Sequence, residues 1–221
     1  MGKYYVVVPA YNEARQIHRC IEHILEHTKN VIVVDDGSTD KTGTILDLIG
    51  GITVIHLKHN AGKGHAMKIG AKEAFRRGAA GVIFLDADNQ HHPKHIPEFM
   101  RLLGRGNDIV IGVRILKAAI PWHRKLGNFI MAGLMHLLFH IYIPDMMCGY
   151  RAFTKKGFAK LEWQTSNYGV EIEMLAIIGR KKLSFKTIVV DTIYLDKYKG
   201  FSVWDGIKIM LSLPYYKWRT L

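Results

Sequence analysis

The chain has 221 residues, enough for one sizeable α/β core, and its 48% apolar content excludes a disordered chain. Thirty-one basic against nineteen acidic residues give a net charge of +12, which implies an anionic partner: nucleic acid, a phosphorylated substrate or an acidic membrane surface. Two cysteines, Cys20 and Cys148, exclude a disulfide framework and a four-thiolate zinc site, and they fit a reducing compartment.

Tyr4 to Val8 is a β-branched and aromatic run stopped by Pro9, hence a first strand, and no secretory signal is expected ahead of it. Past the loop Ala10-Tyr11-Asn12, Ile17, Ile21, Ile24 and Leu25 recur at helical spacing between Glu13 and His27. Val31 to Val34 reads as a second strand, ending in the turn Asp35-Asp36-Gly37-Ser38-Thr39-Asp40. A helix bearing Ile45, Leu46 and Ile49 follows, then a strand from Ile52 to Leu57. The loop Asn60-Ala61-Gly62-Lys63-Gly64 leads into a helix reaching about Arg77, and Val82 to Leu85 is a fourth strand. Pro93 to Leu103 predicts a helix and Ile109 to Gly112 a fifth strand. Strands and helices alternating at this spacing predict an α/β fold: a mostly parallel sheet with helices on both faces.

After Arg114 the alternation stops. A basic stretch from Lys117 to Lys125 precedes the longest apolar run, Phe129 to Ile143. As a helix its fifteen residues would be about 22 Å long, short of the ~30 Å hydrocarbon core, so no spanning helix is expected. A helix near Val170–Gly179 and a strand near Lys186–Val190 come next. In the tail, Ile207, Met210, Leu211 and Leu213 mix with Tyr215, Tyr216, Trp218, Lys217 and Arg219, a pattern that suits a membrane interface or a helix packed on the domain. No linker appears, so residues 1–221 read as a single domain, with residues 1–114 as its ligand-binding half and 115–221 as its acceptor and interface half.

In such sheets ligands bind outside the carboxyl ends of the strands. The first four loops place Pro9, Tyr11 and Glu13, then Asp35 and Asp36, then Lys63, then Asp86, Asp88 and Gln90 along that one edge. Asp86 and Asp88 are alternate residues of an extended chain and can face one ligand; with the Gln90 amide they suit a hard divalent cation such as Mg²⁺. Tyr11 offers a ring to a base, and Glu13 or Asp36 can accept from base or ribose. Lys63 can meet a diphosphate, with Gly62 and Gly64 allowing close approach. Together these loops predict a nucleotide-diphosphate site. His91, His92 and His95 are expected at supporting or surface positions, since such a cation prefers oxygen. His136 and His140 read as polar points on one amphipathic helix.

Pro9-Ala10-Tyr11-Asn12-Glu13, Val34 to Asp40, Asp86-Ala87-Asp88-Asn89-Gln90-His91, Gly112-Val113-Arg114 and Asp145 through Arg151 resemble, in order, the motifs of family-2 inverting glycosyltransferases with the GT-A fold. Within that family the chain is similar to the branch that glycosylates polyprenyl phosphates, typified by dolichyl-phosphate mannose and glucose synthases. The resemblance implies that Pro9, Tyr11, Glu13, Asp35, Asp36, Lys63, Asp86 and Ala87 bind a nucleoside-diphosphate sugar, and that Asp86, Asp88 and Gln90 hold Mg²⁺ or Mn²⁺. It implies an acceptor-phosphate site at Arg114, Arg124, Asn128, Arg151 and Lys197, where the family more often has Ser at the place of Asn128. Near the end the family reads Tyr-x-Gly-x-Ser-Lys, whereas here Val203 takes the place of the last lysine and Lys197 or Lys199 is left to supply the charge. Asp88, Asp145 and Arg114 are the candidate catalytic residues. Asp145 reads either as a base or as a turn residue buttressing Arg151.

The expected activity is transfer of a hexose from GDP-mannose or a UDP-hexose to a polyprenyl phosphate, by a peripheral protein at the cytoplasmic face of a membrane, with a membrane-anchoring subunit as a candidate partner. Transfer to a sugar hydroxyl is the first rival. A nucleic-acid-binding domain is the second, and it is disfavoured because the basic residues form no single run interleaved with stacking aromatics.

Overall fold

The computed structural model describes residues 2–114, 122–167, 169–191 and 203–218. Among them seven strands form one sheet: β1 (Tyr4–Ala10), β2 (Val31–Asp35), β3 (Thr53–His56), β4 (Gly81–Phe84), β5 (Ile109–Arg114), β6 (Arg151–Thr154) and β7 (Lys186–Val190). Their spatial order is β3-β2-β1-β4-β6-β5-β7. β1 pairs in parallel with β2 and β4, β2 with β3, and β5 with β7. The exception is β6, which runs antiparallel between β4 and β5.

Helices cover both faces, because the central strands are apolar on both sides of the pleat. On one face Val6 and Val8 meet Ile17, Cys20, Ile21 and Ile24 of α1 (Ile17–Leu25), Leu46 of α2 (Thr42–Asp47) and Phe99 of α4 (Ile96–Gly104). On the other, Tyr5 and Val7 meet Ala66, Met67 and Ala71 of α3 (Lys63–Arg76). Met135 of α5 (Trp122–Phe139), Ile172 and Leu175 of α7 (Val170–Arg180) and Leu213 of α8 (Val203–Trp218) extend this second core. Each fully buried Val or Ile contributes roughly 1.5–3 kcal/mol of hydrophobic stabilisation. This architecture is the mostly parallel α/β sheet that the sequence predicts.

Four elements differ from the sequence expectation. β6 and the short α6 (Lys155–Ala159) after it are additional. Arg151-Ala152-Phe153-Thr154 has too few apolar residues to stand out, and only its neighbours β4 and β5 make it a strand. The apolar run 129–143 does not form one helix: α5 starts earlier, at Trp122, and ends at Phe139, where His140 takes a φ of 55°. His136 and His140 therefore do not share a helical face. Finally, α1 begins at Ile17, after a turn whose Glu13 carbonyl accepts from the Gln16 and Ile17 N–H groups. Among the described residues no helix is long and apolar enough to cross a membrane.

Candidate active site

β1, β2, β4 and β5 all end on one edge of the sheet, and because β6 is antiparallel the loop entering it returns to the same edge. α3 starts there too, since it follows β3. The edge thus gathers residues 9–13, 35–40, 60–64, 86–92, 114 and 145–150.

The first two loops are locked together. Asn12, in the left-handed region at φ 54°, accepts from Thr39 N–H at 2.8 Å and donates its own N–H to Ser38 Oγ at 3.0 Å. Glu13 N–H donates to Thr42 Oγ1 at 2.8 Å. This leaves Tyr11 exposed at the rim, where a ring can stack on a base. Asp35 and Asp36 are buried and already engaged. Asp35 accepts from Ser38 N–H at 3.1 Å and lies 3.0 Å from His56 Nδ1. Asp36 accepts from Ala61 and Gly62 N–H, each at 2.8 Å, and so fixes the turn into α3. Both carboxylates shape the floor of the site in this structure.

Lys63, at the start of α3, points between two carboxylates. Its Nζ lies 2.6 Å from Asp86 Oδ1 and 2.6 Å from Glu171 Oε1 of α7. Glu171, buried in α7, has no hydrogen-bond partner at Oε2. Burial alone would lower the Lys63 pKa, but the Asp86 and then the Glu171 charge more than offset it and raise it. Gly64 does not admit a ligand. A Cβ there would sit 2.2 Å from the Thr165 carbonyl, so its lack of a side chain lets the chain's own 163–167 segment close on α3. Trp163 Nε1 donates to the Gly64 carbonyl at 3.1 Å, and Glu173 accepts from Gln164 and Thr165 N–H to hold that segment.

The acidic pair is part-buried. Burial, then the neighbouring Asp86 charge, pushes the Asp88 carboxyl up to about 6. Burial would likewise raise Asp86, but Lys63, followed by His91 and Arg114, holds it below the usual carboxylate range. Asp88 Oδ1 accepts from Gln90 N–H at 3.0 Å. Gly149 is what makes room: a Cβ on it would lie 2.2 Å from Asp86 Oδ2. His91 is buried against this site, not at the surface, with Nε2 3.9 Å from Asp86 Oδ2, and burial pulls its pKa down to about 4, so it is neutral near pH 7. His95 instead accepts from Asp191 N–H at the end of β7.

On the far side of the edge, Asp145 is buried and grips Arg114: Nε donates to Oδ2 at 2.6 Å, Nη2 to Oδ1 at 2.9 Å, and the Arg114 N–H to Oδ2 at 3.1 Å. Its partner is therefore Arg114, not Arg151. Arg151 is fully buried, and its guanidinium donates to the backbone carbonyls of Met146 (2.6 Å), Glu171 (2.7 Å) and Cys148 (3.0 Å). A phosphate cannot reach it here, so its placement contradicts an acceptor contact. The side chains of Arg124 and Asn128, and the whole of Lys197, lie outside the described residues.

The donor set suits a hard divalent ion. Lys63 and Arg114 stand against Asp86, Asp88, Glu171 and Asp145, which leaves two negative charges once Asp88 ionises. The buried polar atoms that the hydrogen bonds among the described residues leave unsatisfied, Asn89 Oδ1, His91 Nδ1, Tyr150 OH and Glu171 Oε2, belong to this loop or to residues packed on it. No cluster of three or more His, Cys, Asp or Glu fit to enclose a metal occurs among the described residues, so any ion would draw most of its ligands from water and substrate, as Mg²⁺ does. Two residues here escape a sequence reading, Glu171 and Gly149. The one signal for Glu171 was its place, with Glu173, as a carboxylate inside the otherwise apolar run Val170–Ile178.

Comparison with known proteins agrees with this arrangement. Residues 5–181 match the model of glycosyl transferase family 2. The UDP-N-acetylglucosamine–dolichyl-phosphate N-acetylglucosaminyltransferase of Methanococcus voltae is 31% identical over 95% of this chain and 94% of its own length. The polyprenol monophosphomannose synthase of Mycolicibacterium smegmatis is 28% identical over 92% of this chain and 82% of its own. Glucosyl-3-phosphoglycerate synthase of Mycobacterium tuberculosis, solved with Mg²⁺ and UDP, superimposes with a TM-score of 0.75 at 19% identity, covering 98% of this chain and 79% of that one. With its GT-A sheet and these matches, the chain is a glycosyltransferase and belongs to glycosyl transferase family 2.

Proposed function

We propose that the chain transfers one sugar, with inversion at the anomeric carbon, from a nucleoside diphosphate to a polyprenyl phosphate of the dolichyl type. The observation that carries this reading is the meeting, on one sheet edge, of a carboxylate pair (Asp86, Asp88) with a guanidinium fixed by its own carboxylate (Arg114 on Asp145). That combination suits a reaction between two phosphorylated substrates. Residues 1–114 would serve the donor, and the remainder the acceptor.

Tyr11 stacks on the base, with Pro9 and Glu13 beside it and Asp35 and Asp36 holding the loops in shape. Asp86, Asp88 and Gln90 hold Mg²⁺ or Mn²⁺, which when bound supplies charge stabilisation to the departing diphosphate. Lys63 adds a second positive charge at that end. Arg114 receives the acceptor phosphate, with Arg124 and Asn128 early in α5 and Lys197 as further contacts. A phosphate monoester is already anionic near neutral pH, so positioning suffices and no strong general base is needed. The part of Asp145 is to hold Arg114, since its carboxylate is committed to that side chain.

The name of the M. voltae relative favours a UDP-sugar, a UDP-hexosamine or UDP-hexose, as donor. The name of the M. smegmatis relative favours mannose, and GDP-mannose is the second reading. A membrane surface fits the exposed apolar side chains of two helices that pack together, Phe129 and Leu137 on α5 and Leu211, Tyr215 and Trp218 on α8. The free, buried thiols of Cys20 and Cys148 fit the reducing, cytoplasmic side of such a membrane.

The test is transfer of radiolabel from a panel of UDP- and GDP-sugars to an organic-extractable polyprenyl phosphate with Mg²⁺ or Mn²⁺, beside Asp88→Ala. Label in lipid from one donor, lost in the variant, is the expected result. Donor turnover only on addition of a sugar acceptor would overturn the lipid-phosphate reading.

A further inference from the structure

Lys63 is an unusual neighbour for a metal ligand. Its ammonium sits against Asp86 Oδ1, the oxygen a cation would want, and is held from the other side by Glu171 Oε1. Glu171 is 2% exposed, lies in an apolar helix, and keeps Oε2 unpartnered. A buried carboxylate left incompletely paired is costly, so α7 retains one here against its packing interest. A lysine between two carboxylates can yield one and stay neutralised by the other. A lysine on Asp86 alone would have to be expelled from a part-buried site as an unpaired charge.

Resting on the metal reading above, we propose that Lys63 is a resident counter-cation that competes with the divalent ion for Asp86, and that Glu171 is the positioning residue that receives it. Mn²⁺ or Mg²⁺ alone therefore binds weakly. The nucleoside diphosphate tightens it by bringing ligands to the metal and a second anion within the field of Lys63. Ion and donor enter together, and the site does not hold a bare metal between turnovers. Neither residue touches the reacting atoms in this role.

The test is Mn²⁺ binding to the full chain, followed by the electron-paramagnetic-resonance signal of free Mn²⁺, without nucleotide and with UDP. The informative variant is Lys63→Met/Glu171→Gln, which removes one charge of each sign and leaves the net charge of the site unchanged. Lys63→Gln/Glu171→Gln, whose amides can pair with each other, serves the same purpose where the first variant folds poorly. The expected result is Mn²⁺ binding without nucleotide that is about tenfold tighter than in the parent chain, the competitor at hydrogen-bond distance having been removed, together with a smaller gain on adding UDP. A purely structural role for the pair would loosen the site and could not tighten it. Affinity for Mn²⁺ alone that is unchanged or weaker, while Asp88→Asn still abolishes binding with UDP, would overturn this proposal and leave the metal site standing. Binding with UDP that ignores Asp88→Asn would overturn both.

Discussion

Replacing Arg151 with methionine separates a structural guanidinium from a phosphate contact. Three backbone carbonyls, those of Met146, Cys148 and Glu171, each accept from Arg151 at 2.6–3.0 Å in a fully buried setting. Methionine fills much of the same volume but donates nothing, so all three carbonyls lose their charged donor. Breaking a buried polar network by removing one partner costs about 3–5 kcal/mol. At about 2–4 °C per kcal/mol for a chain of this size, the melting temperature should fall by roughly 6–20 °C. The loop 145–150 and the start of α7 share this anchor, so Arg114 and Glu171 should loosen with it. Denaturant titration followed by circular dichroism gives the stability, and initial rates against polyprenyl phosphate give the kinetics. A variant with parental stability but a selectively raised KM for the lipid phosphate would refute the reasoning and return Arg151 to the acceptor site.

Gly149→Ala should leave the fold standing but displace the Asp86 carboxylate, since the new Cβ would lie 2.2 Å from Oδ2. A displacement near 1 Å costs on the order of 100-fold in rate, and calorimetry with Mn²⁺ and UDP should show the loss at binding. Asp145→Asn should raise the KM for the acceptor and leave the shape of the pH–rate profile unchanged; loss of its acid limb would make Asp145 a base after all. His56 tests linkage. Its pKa is raised by the hydrogen bond to Asp35, partly opposed by burial and helped by Asp47, so the folded state binds the proton more tightly than the unfolded one. The stabilisation is therefore complete below the unfolded histidine value of about 6.5 and is lost as pH rises through the higher folded value. His56→Gln should be less stable than the parent near pH 5.5, with the gap closing toward pH 8 in parallel urea titrations. Leu211→Ser/Trp218→Ser should sediment less with anionic vesicles at an unchanged melting temperature, because both side chains are largely exposed.

The parallel strands were legible because each is a short, nearly continuous apolar run, and burial on both faces of the sheet demands that pattern. The acidic pair was legible because Asp86 and Asp88 follow such a run directly. β6 was not, since a strand of Arg, Ala, Phe and Thr owes its state to the two strands that flank it. The site was misread where the deciding contact is long-range. Asp145 lies six residues from Arg151 yet pairs with Arg114, thirty-one residues away. Gly62-Lys63-Gly64 resembles a ligand loop, but the backbone that closes on Gly64 comes from Thr165. His91 was expected at a supporting or surface position and Arg151 at the acceptor phosphate, and only the packing of the 145–150 loop and α7 encloses them.

The charge of the chain acquires a location once the site is built. The edge that gathers the candidate site is locally acidic: Lys63 and Arg114 stand among Asp86, Asp88, Glu171 and Asp145, so under the function proposed above a donor diphosphate would enter together with a divalent ion. The overall +12 therefore does not describe the donor site. Residues 1–114 hold fifteen Lys and Arg against twelve Asp and Glu, whereas residues 115–221 hold sixteen against seven. The excess thus sits in the half that supplies α5 and α8, whose exposed Phe129, Leu137, Leu211, Tyr215 and Trp218 outnumber the exposed Tyr11 and Leu48 of residues 1–114 among the described residues. Apolar side chains on a basic surface satisfy two demands of an anionic lipid face at once, headgroup attraction and insertion at the acyl boundary. A soluble phosphorylated acceptor would require the first demand alone. The pairing of charge with exposed apolar area in the same half is what favours a lipid phosphate over a free one.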